Sequence, residues 1–381
     1  MTNRNYHGQE LEDSECSFLE DLEAIVGEKI PILDSFSHTD FGYVPENKRI
    51  VKLSLFDKRL EKLPQSIENL SNLKNFYAAY NEISKFPEGI LSINSIEEIL
   101  FINNQIKVIP NEVSELTNLA GIYLENNYVE QIPDSLCELP NLRTINVKDN
   151  KLEKFPVNIT NIEGLERLSI GGNFFGNLPE SFGNLINLKK LWLDRDRLSQ
   201  LPESIGNLTK LEYIDCKLNK LTTLPKTMMN LKRLEVLDLS RNKMNPLPGW
   251  FCEMKSVKEL LLDGNTYQSF PEKLITMDWL ETLSLSFNEF KSIPSSIEKI
   301  NSLKELYLSY GKLETIPGEI GNLENLEKLF LSNNPGLKEL PESMASLKNL
   351  RELHLYQTGV DELPESMKTM KDLSLPNWNL S

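Results

Sequence analysis

Residues 234–248 read Leu234-Glu235-Val236-Leu237-Asp238-Leu239-Ser240-Arg241-Asn242-Lys243-Met244-Asn245-Pro246-Leu247-Pro248. Written as LxxLxLxxNxLxxLP, the phrase recurs along the chain. Its closing proline falls at 64, 87, 110, 133, 156, 179, 202, 225, 248, 271, 294 and 317, every 23 residues, and then at Pro341 and Pro364, making fourteen copies. A fixed period of this length marks an α/β solenoid, in which each unit buries its apolar face only by stacking on the next.

The phrase dictates its own local structure. The LxL alternation is a short strand with two side chains turned inward, as at Leu53 and Leu55. The polar residue six places before the proline (seven before Pro341) is asparagine in ten copies, from Asn81 to Asn334, and Lys58, Asp196, Gly311 and Thr358 in the others. A stacked asparagine can satisfy backbone groups where the chain leaves the strand. Proline then sets φ for the returning segment. In Glu203-Ser204-Ile205-Gly206-Asn207-Leu208 that segment turns Ile205 and Leu208 inward at helical spacing. At ~4.8 Å per strand, about fourteen strands make a parallel sheet roughly 65 Å long.

This wording is the leucine-rich-repeat signature. The 23-residue unit, with LPxxIxxL on the convex side, resembles the Ras-group repeat proteins: the Ras-suppressor and Ras-scaffold proteins, the plant intracellular Ras-group proteins and the Scribble-type arrays. The resemblance covers residues 50–371. It implies a curved horseshoe with a concave parallel sheet and helical, 3-10 or extended convex segments. It also implies a non-enzymatic scaffold or adaptor that binds proteins through the concave face in small-GTPase-type signalling.

Outside the repeats, residues 14–49 read as an amino-terminal cap. Phe18, Leu19, Leu22, Ile25 and Val26 recur at helical spacing before Gly27, so 14–26 is expected to be an amphipathic helix, with Ile30, Ile32, Phe41 and Tyr43 completing the cover. Residues 1–13, polar and acidic, are expected to be disordered. Residues 372–381 form a closing tail. There Leu373 is in phase for a fifteenth strand, Pro376 blocks it, and Leu375 and Trp378 fold over the last core. The 381 residues are therefore one array with a cap.

The formal charge is −15, of which residues 1–49 carry −7. That balance disfavours nucleic acid and anionic lipid as partners. No apolar run approaches the ~18 residues of a membrane span, and no signal peptide is evident, which points to the cytoplasm and a monomer. Four scattered cysteines and three histidines argue for reduced thiols and against structural zinc; no cofactor is expected. Nucleotide-binding, hydrolase and kinase signatures are absent from the sequence.

The functional reading rests on the outward residues of the strands, which the repeat does not dictate. Repeats one to four present Tyr77, Leu100, Ile102 and Tyr123, a contiguous apolar patch unless the amino-terminal segment covers it. Repeats five to nine invert the charge, with Lys148, Arg167, Lys190, Arg195, Lys217 and Arg241 around Trp192, the composition of an interface hot spot. Repeats ten to fourteen return to aromatic and acidic, with Tyr307, Tyr310, Phe330, His354 and Tyr356. An acidic protein surface is expected on the Trp192 zone; a small anionic or carbohydrate ligand in that basic groove is the alternative. Asp215 and Asp238 hold one outward position in adjacent strands, at the ~5 Å spacing of retaining glycosidases. Lysine and arginine surround them, so a salt-bridge lattice with both acids ionised is the expected role.

Overall fold

A computed structural model describes residues 2–370 and 372–378. The chain forms two compact units that divide after Trp192. Divisibility of this kind follows from a repeat architecture, in which each unit touches only its neighbours.

In the first unit, β1 (Asn3–Tyr6) and β2 (Gln9–Glu12) form an antiparallel hairpin where the sequence suggested disorder. Two apolar anchors explain the order, because Tyr6 and Leu11 are buried. Ion pairs from Arg4 to Asp13 and Glu20, at 3.0 and 3.1 Å, fasten the hairpin to the helix that follows. That helix, α1 (Asp13–Val26), ends at Gly27, whose φ of 79° lets its N–H reach the Glu23 carbonyl. Phe18, Leu19 and Leu22 are buried as expected, as are Ile30 and Tyr43; Ile25 and Ile32 are exposed and contribute no cover.

Strand β3 (Phe41–Glu46) pairs antiparallel with β4 (Arg49–Leu55), the first repeat strand. This pairing closes the free edge that a parallel array would otherwise present. Then β5 (Asn75–Tyr77), β6 (Glu98–Leu100), β7 (Gly121–Tyr123), β8 (Thr144–Asn146), β9 (Arg167–Ser169) and β10 (Lys190–Trp192) follow in parallel register.

The second unit continues the pattern with β11 (Tyr213–Asp215), β12 (Val236–Asp238), β13 (Glu259–Leu261), β14 (Thr282–Ser284), β15 (Glu305–Tyr307), β16 (Lys328–Phe330) and β17 (Glu352–His354), again parallel. Beyond β17, Ser374 forms one parallel bridge to Glu352. Trp378 then donates its indole N–H to the Val360 carbonyl at 3.4 Å. The fifteenth rung is thus a single bridge before Pro376.

Each unit is a leucine-rich-repeat solenoid built as its phrase requires. Most returning segments are one turn of 3-10 helix begun by the proline, as at Gln65–Asn69, where the Ile67 N–H reaches the Pro64 carbonyl at 3.2 Å. Ile205 and Leu208 are buried between such segments and the sheet. The asparagine ladder is fully bonded. Asn81 donates to the Leu55 carbonyl at 2.7 Å and accepts the N–H groups of Lys58 and Leu60, both at 3.0 Å, and Asn288 repeats the arrangement.

One regularity escaped the sequence reading. The residue immediately before the ladder position has φ between 52° and 72° in all fourteen repeats. Asn103, Asn126, Gly172 and Gly264 suit this left-handed backbone, whereas Tyr80, Arg195, Leu218, Arg241, Phe287 and Tyr310 do not.

Candidate functional site

The strands' outward side chains form in-register rows on the face away from the 3-10 segments. In the first unit one row runs through Tyr77, Leu100, Tyr123, Asn146, Ser169 and Trp192. Its early members do not form an open apolar patch. Phe36, from the cap, lies against Tyr77 with ring centroids 4.8 Å apart, and the Tyr77 hydroxyl donates to Glu98 at 2.6 Å. Leu100, in register between two tyrosines, is buried, and Ile102 is half-buried. Cover from the amino-terminal segment, the alternative for this patch, accounts for Tyr77.

Further along, the row opens into a trough of about 300 Å³. Thr144, Asn146 and Ser169 line it between Tyr123 and Trp192, with Lys148 and Arg167 also on its boundary. Short side chains flanked by two rings make the depression. Tyr123 folds back over Gly121, where a Cβ would come within 2.9 Å of its ring, and burial raises the pKa of its hydroxyl. Glu125 is held by the Asn146 amide at 3.1 Å. Beside the trough, Arg167 and Lys190 stand in register on β9 and β10, both exposed. Among the described residues neither makes an ion pair; the nearby Glu166 is paired with Lys189 at 2.8 Å, which, with a smaller contribution from Arg167, lowers that carboxyl's pKa.

The remaining basic residues fall in the second unit and are engaged there. Arg195 pairs with Asp194 at 3.1 Å, Lys217 with Asp215 at 2.8 Å, and the Arg241 guanidinium lies 5.1 Å from the Phe287 centroid. Asp215 and Asp238 do sit in register, and Lys217 reaches the second carboxylate at 4.0 Å. The surrounding cations do not act alone on the two acids. Burial, with the neighbouring Asp215 charge, pushes the Asp238 carboxyl above the usual range despite Lys217 and the Ser240 N–H.

Towards the carboxy-terminal end, Tyr307, Phe330 and His354 stack in register, with centroids 4.3 and 4.2 Å apart. Phe287 and Tyr310 form a second stack at 4.5 Å, and Tyr356 is exposed. Sequence reasoning found most of these rings. It missed Phe36 as a cover for Tyr77, and the small residues that turn the Tyr123–Trp192 interval into a trough. The row Asn146–Ser169, two short side chains between two aromatics at 23-residue spacing, was the available signal.

Among the described residues no group of three histidine, cysteine or acidic side chains could hold a metal, and the four cysteines are free thiols. No helix of the described residues is long and apolar enough to cross a membrane.

The fold and its in-register rows define a leucine-rich-repeat solenoid, a class whose members generally bind proteins. The chain is a leucine-rich-repeat protein. A profile described as a leucine-rich repeat region matches residues 176–291, and leucine-rich repeat profiles match 95–152, 164–185, 278–335 and 302–360. Among curated proteins, none matches. A solved leucine-rich-repeat protein of Leptospira interrogans is 26% identical, with a TM-score of 0.69 over 85% of this chain and 94% of that one. PEPR1, in a structure described as PEPR1–AtPEP1, is 27% identical with a TM-score of 0.67; the match covers 94% of this chain but 54% of that one. An internalin from Listeria monocytogenes, 18% identical with a TM-score of 0.63 over 94% of this chain and 93% of that one, shares the fold.

Proposed function

We propose that this chain is a non-enzymatic binding protein whose first unit seats a protein or peptide partner on its sheet face. The partner presents an acidic group to Arg167 and Lys190 and an apolar side chain to the trough between Tyr123 and Trp192. The observation that carries this reading is the in-register Arg167–Lys190 pair, exposed and without ion pairs among the described residues, beside a depression of about 300 Å³ walled by two aromatic rings. Aromatic and arginine side chains together are the composition that concentrates binding energy at interfaces. Two like charges facing one another across adjacent strands cost stability in the free protein and become favourable once a carboxylate lies between them.

The similarity to PEPR1 supports a peptide or protein as the bound species. The 23-residue period supports a place near the Ras-group arrays, and with it a cytoplasmic adaptor role in small-GTPase-type signalling. An affinity capture from source cytosol, using native chain and a Trp192→Ala/Arg167→Ala variant, tests the site. Native-only capture of a partner, with matched melting curves, is the expected result. Equal capture by both would remove the trough from the account. A partner that buries on the order of 1,200 Å² or more separates a protein from a small anion.

A further inference from the structure

Two aromatic columns cross the strands of the second unit. Tyr307, Phe330 and His354 form the inner one, their planes inclined by only 8° and 21°. Phe287 and Tyr310 form the outer one, 5° from parallel and 44% and 54% exposed. Both outer residues occupy the left-handed position that Asn126 and Gly264 fill in other repeats, with φ of 57° and 56°. A bulky side chain is disfavoured on this left-handed backbone. The backbone geometry belongs to every repeat; these two differ in placing exposed, stacked rings there in adjacent copies.

The chain itself shows what these rings accept. The Arg241 guanidinium lies over Phe287 because Gly264, in the repeat between them, has no side chain; a Cβ there would come within 3.2 Å of Arg241 Cγ. Tyr307 is arranged in the same way. Phe330 stacks on one face of its ring, and on the other side the in-register residue is Ser284, which brings no ring. Carboxylates surround the Tyr307 ring, and Asp263 and Glu259 come from the repeat beyond Ser284. Glu305, on the same strand, accepts a hydrogen bond from the Tyr307 hydroxyl at 2.6 Å, and Asp263 accepts one from Ser284; burial first, then Glu305, with smaller contributions from Glu259 and Glu352, raises the Tyr307 pKa. Lys328 neutralises Glu305 at 2.9 Å, whereas Glu259 and Asp263 make no ion pair among the described residues.

We propose that this face of the second unit seats an arginine-bearing segment of a protein partner, with one guanidinium against the Tyr307 ring above Ser284, within reach of Glu259 and Asp263, and the segment running along the Phe287–Tyr310 column. A planar guanidinium fits because it stacks on a ring while donating sideways to carboxylates, which an ammonium does less well. The surface is of opposite sign to the Arg167–Lys190 site, and the two take different segments.

The test titrates the full chain with fluorescein-labelled hexa-arginine and hexa-glutamate peptides at physiological salt, reading anisotropy. Two charge-neutral variants are compared, Tyr307→Ser and Phe287→Asn/Tyr310→Asn. Asparagine suits the left-handed backbone, so the second variant should melt no lower than the native chain and any loss of binding is not a loss of fold. Hexa-arginine should bind the native chain and lose about tenfold in affinity or more in both variants. It should bind a Trp192→Ala/Arg167→Ala chain normally. Equal binding by native and charge-neutral variants means diffuse attraction to a chain of net charge −15 and overturns the proposal. Failure of hexa-arginine to bind, or equal binding of hexa-glutamate, overturns it as well.

Discussion

Lys190 on β10 stands directly across from Arg167 on β9, and no carboxylate is ion-paired with either among the described residues. Facing like charges on adjacent strands oppose one another by a few tenths of a kcal/mol up to about 1 kcal/mol. Lys190→Gln should therefore leave the melting temperature unchanged or slightly raised while weakening the captured partner severalfold. Calorimetry and a binding titration on the same preparation decide it. A lower melting temperature with unchanged affinity would make the pair a stabilising feature with no binding role.

How much of this was legible beforehand depends on what the period fixes. The fourteen repeat strands, the ladder of Asn81 to Asn334 and the inward Ile205 and Leu208 follow from one repeated phrase, because stacking leaves each position a single environment. The hairpin at residues 3–12 did not follow. Its order comes from Tyr6, Leu11 and the Arg4 ion pairs, contacts with a partner element that no local pattern announces. At the site, the residue types were readable but their availability was not. Tyr77 meets Phe36 from a non-repeating loop, and Arg195, Lys217 and Arg241 are engaged by neighbours in their own unit.

The left-handed position before each ladder residue yields a second prediction. Leu218 sits there with φ of 58° and is 41% exposed, so its side chain gains little burial to offset the backbone cost. Leu218→Asn should stabilise the chain by about 1 kcal/mol, and Leu218→Gly by less because glycine also loosens the unfolded chain. Denaturant midpoints at constant slope measure the difference. Destabilisation by asparagine would show that Leu218 makes contacts worth more than its strain.

Asp238 supplies a pH test. Burial foremost, then Asp215, raises its folded pKa, so the folded chain holds that proton more tightly than the unfolded one. The contribution to stability is fully present below the ordinary carboxyl range and is lost as pH rises through the raised value. Asp238→Asn removes the charge while leaving an oxygen for the Ser240 N–H. It should be more stable than the native chain at pH 7, with the advantage shrinking towards pH 4. A gain of equal size at both values would assign the effect to packing instead of ionisation.

The last prediction concerns the junction between cap and first repeat. Glu15 on α1 is fully buried; one oxygen accepts from Arg49 Nε at 2.8 Å and the other from the Ile50 N–H at 2.8 Å. Arg49 also pairs with Glu12 and donates to Ser71, so a single side chain ties hairpin, helix and first repeat together. Arg49→Met keeps most of the packing but strands the Glu15 carboxylate, which should cost about 3–5 kcal/mol. Burial already raises the Glu15 pKa with Arg49 present. Without the guanidinium that carboxyl takes up a proton more readily, so the loss should be largest at neutral pH and smaller near pH 4. Arg49→Met/Glu15→Gln, which leaves no buried charge, should recover most of the stability. If the double variant is as unstable as the single one, the hydrogen bonds of Arg49 to Glu12 and Ser71 hold the cap, and Glu15 is incidental to it.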